Sequence, residues 1–301
     1  MIIPILEGLA AFLGKAQKAV FAARVKIHPL DKKHQNLRIL KSSRYDMSKQ
    51  PGEDYYLRGY LRFILSKIGK RPGLTPSPVC IDFGCGQGRV LNQLAKLHPR
   101  WKCVGLDLSP RALSRAQGIA QSLGLRNVEY LQQDLTRKPF LPVRGDILIC
   151  NEVFFINPGW KKILNNMIGL ARPGALFFCS WRPRLYYLAS ALKNRQWEDL
   201  FTVLRKNSGS LENSAVHFSW EEAKTVSDYL VRKKMSLLDH QGIGILSGLA
   251  GEPYEHILSP VGLSEKQRLI LEKIDETIGK KFPDFGRYFM FCFRKSSGKN
   301  Q

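Results

Sequence analysis

The 301-residue chain is poor in acids: 25 Asp/Glu stand against 47 Lys/Arg, a formal net charge of +22. It has no run of eighteen apolar residues, so no segment reads as a membrane-spanning helix. No stretch joins a charged start, an apolar middle and a small-residue cleavage site, so no secretory signal is expected. None of the six cysteines forms a CxxC pair, which argues against a zinc or dithiol redox motif, and no metal is expected. Five of them, Cys85 aside, lie in apolar, strand-like runs, where a reduced cysteine behaves as a small hydrophobe. The expected setting is the reducing cytoplasm. Internal repeats and low-complexity tracts are also missing.

The basic excess that remains is uneven. Residues 1–75 carry 15 Lys/Arg against 5 Asp/Glu, whereas residues 181–260 carry 10 against 9. The N-terminal quarter therefore attracts anions such as RNA, anionic lipid or an acidic substrate, unless it is simply a basic, solvated surface. Apolar residues at Ile5, Leu9, Phe12, Leu13, Ala16, Val20 and Ala23 recur at helical spacing. That helix either packs on its own domain or lies on a membrane, making the protein peripheral there. Residues 55–68 read as a second helix, and Pro72-Gly73 with Pro76-Ser77-Pro78 marks a linker.

From Pro78 the periodicity changes. Apolar strand-like runs at 79–83, 101–106, 128–131, 146–150 and 175–180 alternate with helical patterns at 89–97, 110–122 and 159–171. This predicts an α/β fold with a mostly parallel sheet and helices on both faces. Residues 181–234 depart from that rhythm and look mostly helical. A strand is expected at 235–239, a helix at 264–278, and a last, antiparallel strand at 287–294. The organisation expected is a helical appendage or lid (1–75), a cofactor-binding core (76–182), a helical cap after strand five (183–234) and a C-terminal segment completing the sheet (235–301).

The decisive stretch is Ile81-Asp82-Phe83-Gly84-Cys85-Gly86-Gln87-Gly88-Arg89. Glycines let a backbone approach a ligand where a Cβ would collide. A dinucleotide binder has a third glycine where Arg89 stands. Asp82 would repel a pyrophosphate and welcome a cationic amino-acid group. Asp107 and Asp134 follow, each one strand-helix unit further on. The three acids therefore fall on one sheet edge, where α/β ligands bind.

Together with Gly105-Leu-Asp-Leu-Ser-Pro110, Asn127–Leu135, Asp146–Val153 and Ala171–Leu176, these residues resemble the class I S-adenosylmethionine (SAM)-dependent methyltransferases, over roughly residues 78–182. The resemblance implies a Rossmann-like fold with SAM as cofactor. It places Gly84, Cys85, Gly86 and Gly88 under the methionine part and Asp82 near its amino group. It puts Asp107 on the ribose hydroxyls, Leu108 against adenine, Asp134 and Leu135 at the adenine edge, and Asn151 near the methionine end. Otherwise Asp107 and Asp134 are simple turn or cap acids.

The acceptor leaves less trace. Nucleic-acid amine methylases carry Asn/Asp-Pro-Pro-Tyr/Phe after strand four, and Asn151-Glu152-Val153-Phe154 lacks the prolines. Many small-molecule members have Glu-His where Phe155-Ile156 stand. Tyr56, Trp181 and Tyr186 are candidates for an aromatic acceptor wall, and His217 or His240 for a base. The expected activity is methylation of a small organic acceptor on oxygen or carbon. RNA methylation and non-catalytic SAM binding are the alternatives.

Overall fold

A computed structural model describes residues 50–69, 76–138, 141–211 and 216–295. The amphipathic pattern at 2–23 lies outside the described residues. Helix α1 (Glu53–Ile68) opens the described part, with Glu53 and Asp54 placed to complement the positive end of its dipole. Its Tyr55, Tyr56, Tyr60, Phe63 and Ile64 are buried. They join a core layer with Cys80, Ile147, Ile149, Phe178 and Met290 on one face of the sheet. Helix α1 is thus packed into the main core.

The sheet contains β1 (Val79–Phe83), β2 (Lys102–Asp107), β3 (Val128–Gln132), β4 (Gly145–Cys150), β5 (Ala171–Trp181), β8 (Met235–Ile243) and β9 (Tyr288–Lys295). Their order is β3-β2-β1-β4-β5-β9-β8. The first five strands run parallel, and β9 inserts antiparallel between β5 and β8. Strands β1 and β4 are buried at every residue, as strands covered on both faces are. Helices α2 (Arg89–Leu97), α3 (Pro110–Ser122) and α4 (Trp160–Leu170) are the crossovers. Ser109 starts α3 by accepting from the Ala112 amide at 3.3 Å, with Pro110 at the first helical position.

Two expectations change. Strand β5 begins at Ala171 rather than 175, because its first turn forms a bulge opposite Gly145 with Gly174 at φ 75°. The segment after β5 is not all helical. Helices α5 (Arg184–Lys193), α6 (Trp197–Arg205) and α7 (Ala223–Arg232) flank a small hairpin of β6 (Ser208–Ser210) and β7 (His217–Ser219). Tyr186, Tyr187, Val203, Trp220 and Tyr254 give this cap its own apolar cluster. Helix α8 (Glu265–Lys281) carries the Ser264/Gln267 capping box and packs along β8. None of the described helices is long and apolar enough to cross a membrane.

Candidate active site

Strand β1 leads into α2 through Gly84-Cys85-Gly86-Gln87-Gly88, and the three glycines have φ of 80°, 52° and 74°. Side chains rarely adopt such angles. A Cβ on Gly84 would collide with Val153, and one on Gly88 with the Tyr130 hydroxyl. Gly88 does not line the cavity described below; its place is a packing one, at the start of α2. A Cβ on Gly86 would meet no protein atom within 4 Å. It would project into a cavity of about 580 Å³ that runs along the carboxyl ends of β1, β2 and β4.

One half of this cavity gathers Asp82, Gly84, Cys85, Gly86, Asp107, Leu108, Asp134, Leu135 and Asn151. Asp107 accepts from the Gly86 amide at 2.9 Å and the Ser109 amide at 2.8 Å, so it also ties the glycine turn to β2. Asp134 accepts from the Thr136 amide at 2.9 Å and its hydroxyl at 2.7 Å, the local turn expected of such an acid. Burial, with the Asp107 charge beside it, pushes the Asp82 carboxyl up to about 7. Burial also raises Asp107, against the pull of its amide donors. Both amide atoms of Asn151 are buried without a partner. An unpaired buried amide is costly, and this one lies beside a buried acid pair and an open glycine cradle. Those features fit a zwitterionic amino-acid group carrying a sugar and an apolar base, which is the chemistry of SAM.

Tyr186 apart, the other half is built from residues that no motif in the sequence marks. Glu152 follows Asn151 in a left-handed conformation, φ 58°, a rare state for a residue with a Cβ. Its amide donates to Ser180 Oγ at 2.9 Å, and its Oε2 accepts from the Tyr288 hydroxyl at 3.1 Å. Burial pushes the Tyr288 phenol well up, so it stays a neutral donor. Arg182 stands one residue past β5 and donates through Nη2 to Tyr288 Oη. Its guanidinium lies 4.3 Å from the rings of Phe155 and Tyr288 and 4.4 Å from that of Tyr186. Tyr60, Phe218, Glu252 and Arg287 complete this wall. In the sequence Glu152 lies two residues past β4, and Arg182 and Arg287 bound the apolar strands β5 and β9, but no pattern along the chain joins them, or Glu252, into one site.

Among the proposed acceptor residues, Tyr186 lines the cavity. Trp181 does not; it packs with Phe154, Trp160 and Phe289 on the opposite face. Side chains alternate along a strand, so the cavity-facing residue is the next one, Arg182. Tyr56 packs over Arg287, ring to guanidinium 4.4 Å, and leaves the cavity to Tyr60, one helical turn on. His217 pairs with Ser210 across the hairpin at 3.2 Å, and His240 lies on the edge strand β8 against Phe291. Neither histidine lines the cavity.

A seven-stranded sheet of this order, with this glycine turn and these strand-end acids, defines the class I SAM-dependent methyltransferase fold. The chain belongs to the methyltransferase family: the model described as "Methyltransferase domain" matches residues 75–230. In fold it is similar to magnesium protoporphyrin IX methyltransferase from Synechocystis with bound SAM, at TM-score 0.54 and 14% identity, covering 90% of this chain and 100% of that one. It is likewise similar to the N-methyltransferase NodS from Bradyrhizobium japonicum in complex with S-adenosylhomocysteine, at TM-score 0.52 and 15% identity, over 88% of this chain and 99% of that one. In sequence it is 37% identical over 54 residues to the tRNA (guanine-N(7)-)-methyltransferase of Trichormus variabilis, 18% of this chain and 25% of that one. The chain spans between a quarter and about half of the length of such tRNA enzymes, 25% and 46% in two of them.

Proposed function

We propose that the protein transfers the methyl group of SAM to a small organic acceptor, on oxygen or carbon. SAM supplies, when bound, an electrophilic methyl group on a sulfonium, so the protein's main task is alignment. Asp82, Asn151 and the glycine turn hold the methionine end, and Asp107, Leu108, Asp134 and Leu135 the adenosine. Phe155, Tyr186, Phe218 and Tyr288 wall the acceptor. Glu152, held by Tyr288, is the group within the cavity to which an acceptor hydroxyl gives its proton. One observation carries this reading: the glycine-turn half and the aromatic half are one continuous cavity of about 580 Å³, a size suited to small molecules. The test is transfer of labelled methyl from SAM into an extract fractionated into small organics, RNA and protein. Label in the small-organic fraction is expected.

A second reading, RNA methylation, is favoured by the short stretch of similarity to tRNA enzymes and by the +22 charge. Label confined to RNA would establish it in place of the first. No label in any fraction would favour a non-catalytic SAM-binding protein.

A further inference from the structure

The acceptor wall holds three arginine guanidiniums in or beside it, and their partners differ. Arg287 is 2% exposed and is neutralised twice, by Glu53 and by Glu252, each at 2.8 Å. Arg89 pairs with Glu53 at 3.2 Å. Arg182 is also buried, 8% exposed, but none of the described carboxylates lies within ion-pair distance of it. The two carboxylates that share its wall make their direct contacts elsewhere, although the Arg182 charge reaches Glu252 from beyond ion-pair distance and, against burial and after that of Arg287, helps hold its carboxyl low. Glu252 accepts from Arg287 and from the Leu249 amide at 3.0 Å, and Glu152 accepts from Tyr288. The Arg182 charge is balanced instead by aromatic faces, those of Phe155, Tyr186 and Tyr288.

A buried cation without a counter-ion is unfavourable unless something else supplies the negative charge. Three buried donors in the same wall have no acceptor: the Arg182 Nε, the Tyr60 hydroxyl and the Arg287 Nη1, the last on a guanidinium whose charge is already met by two carboxylates. Arginine offers a planar fork that matches a carboxylate's two oxygens. The rings that hold the guanidinium also fix its plane, so little order is left to be lost on binding.

We infer that the Arg182–Tyr60 end of the cavity binds a carboxylate of the acceptor, so the substrate class is small apolar or aromatic carboxylic acids. This rests on the methyltransferase reading of the site. Arg182 is here a substrate-binding residue and Tyr288 a positioning one, linking Arg182 to Glu152. The carboxylate anchors one end of the acceptor and the aromatic wall its body, leaving its far end to face the SAM half. Specificity follows from the same chemistry: an amide or ester of the acid leaves the guanidinium uncompensated.

The experiment uses the full chain saturated with S-adenosylhomocysteine. Calorimetry then measures benzoate, 4-hydroxybenzoate and octanoate against the corresponding amides. At least one acid is expected to bind ten-fold or more tightly than its amide. Arg182→Gln is expected to erase that preference while leaving S-adenosylhomocysteine affinity within two-fold. Arg182→Lys, which keeps the charge but loses the fork, is expected to retain part of it. If no acid outbinds its amide in the wild type, the inference is overturned, whatever the variants do. It is also overturned if Arg182→Gln keeps the preference, or if it abolishes S-adenosylhomocysteine binding, which would put Arg182 in the cofactor half. Failure of the wild type to bind S-adenosylhomocysteine at all would overturn the methyltransferase reading itself, and with it this one.

Discussion

Asp82 and Asp107 face one another across the cofactor half, and the consequence for Asp82 is a carboxyl raised to about 7 by burial and by that neighbour. An acid with a raised folded pKa keeps a proton that the unfolded chain has lost, so stability falls as pH rises from about 4 to about 7. Asp82→Asn should therefore raise the melting temperature at pH 8, with the gain vanishing towards pH 4, as thermal denaturation across pH would read. Ligand binding has the opposite sign. A bound ammonium favours ionised Asp82, so S-adenosylhomocysteine affinity should rise between pH 6 and pH 8 and become flat in Asp82→Asn. Asp107→Ala should lower that affinity at least ten-fold, since hydrogen bonds to a charged acceptor are worth about 1.5–3 kcal/mol each; calorimetry at fixed pH checks it. Glu152→Gln should lower turnover by about 10²-fold or more with binding of both ligands kept, if the carboxylate takes the acceptor's proton. Unchanged turnover would leave Glu152 only a positioning role. The cofactor residues were legible because glycine and aspartate recur at fixed intervals along the chain. Glu152, Arg182 and Arg287 were not, because they meet at the ends of β4, β5 and β9: Glu152 and Arg182 stand 136 and 106 residues from the Tyr288 they both contact, and the three strands are neighbours only in the folded sheet.

At the scale of elements, α1 packs into the core and also borders the cavity, through Leu57 and Tyr60. Its Arg58 and Arg62 face α8, pairing with Glu265 at 2.8 Å and Glu272 at 2.6 Å, and so are not placed for an acceptor anion. Its Phe63 packs edge-on against Phe178 in the sheet, with ring centroids 6.4 Å apart. Phe63→Ala should cost about 3–5 kcal/mol of stability in denaturant titration, the usual cost of emptying a buried phenylalanine site. The folded fraction should still bind S-adenosylhomocysteine normally. A loss of binding without loss of stability would give α1 a direct part in the cofactor site. The helical period of α1 was readable from sequence, but not which surface it covers. An amphipathic stripe reveals that a face is buried, not against what. The hairpin β6–β7 was missed for a related reason: three-residue strands are too short for period-two alternation to register.

For the whole molecule, the five parallel strands and the antiparallel last strand follow from alternating apolar runs and helical stripes, and the sequence reading agrees with the fold there. The acceptor does not follow from any such pattern, because its pocket is assembled from six separate segments. On the reading proposed for this protein, one cavity holds SAM at its glycine-turn half and the acceptor at its aromatic half. A crystal structure of the full chain with S-adenosylhomocysteine tests that most directly. Ribose hydroxyls are expected on Asp107, adenine against Leu108, the amino-acid group at Asp82 and Asn151, and the sulfur turned towards Glu152 and Tyr288. Ligand bound elsewhere, or with its sulfur facing away from the aromatic half, would contradict it.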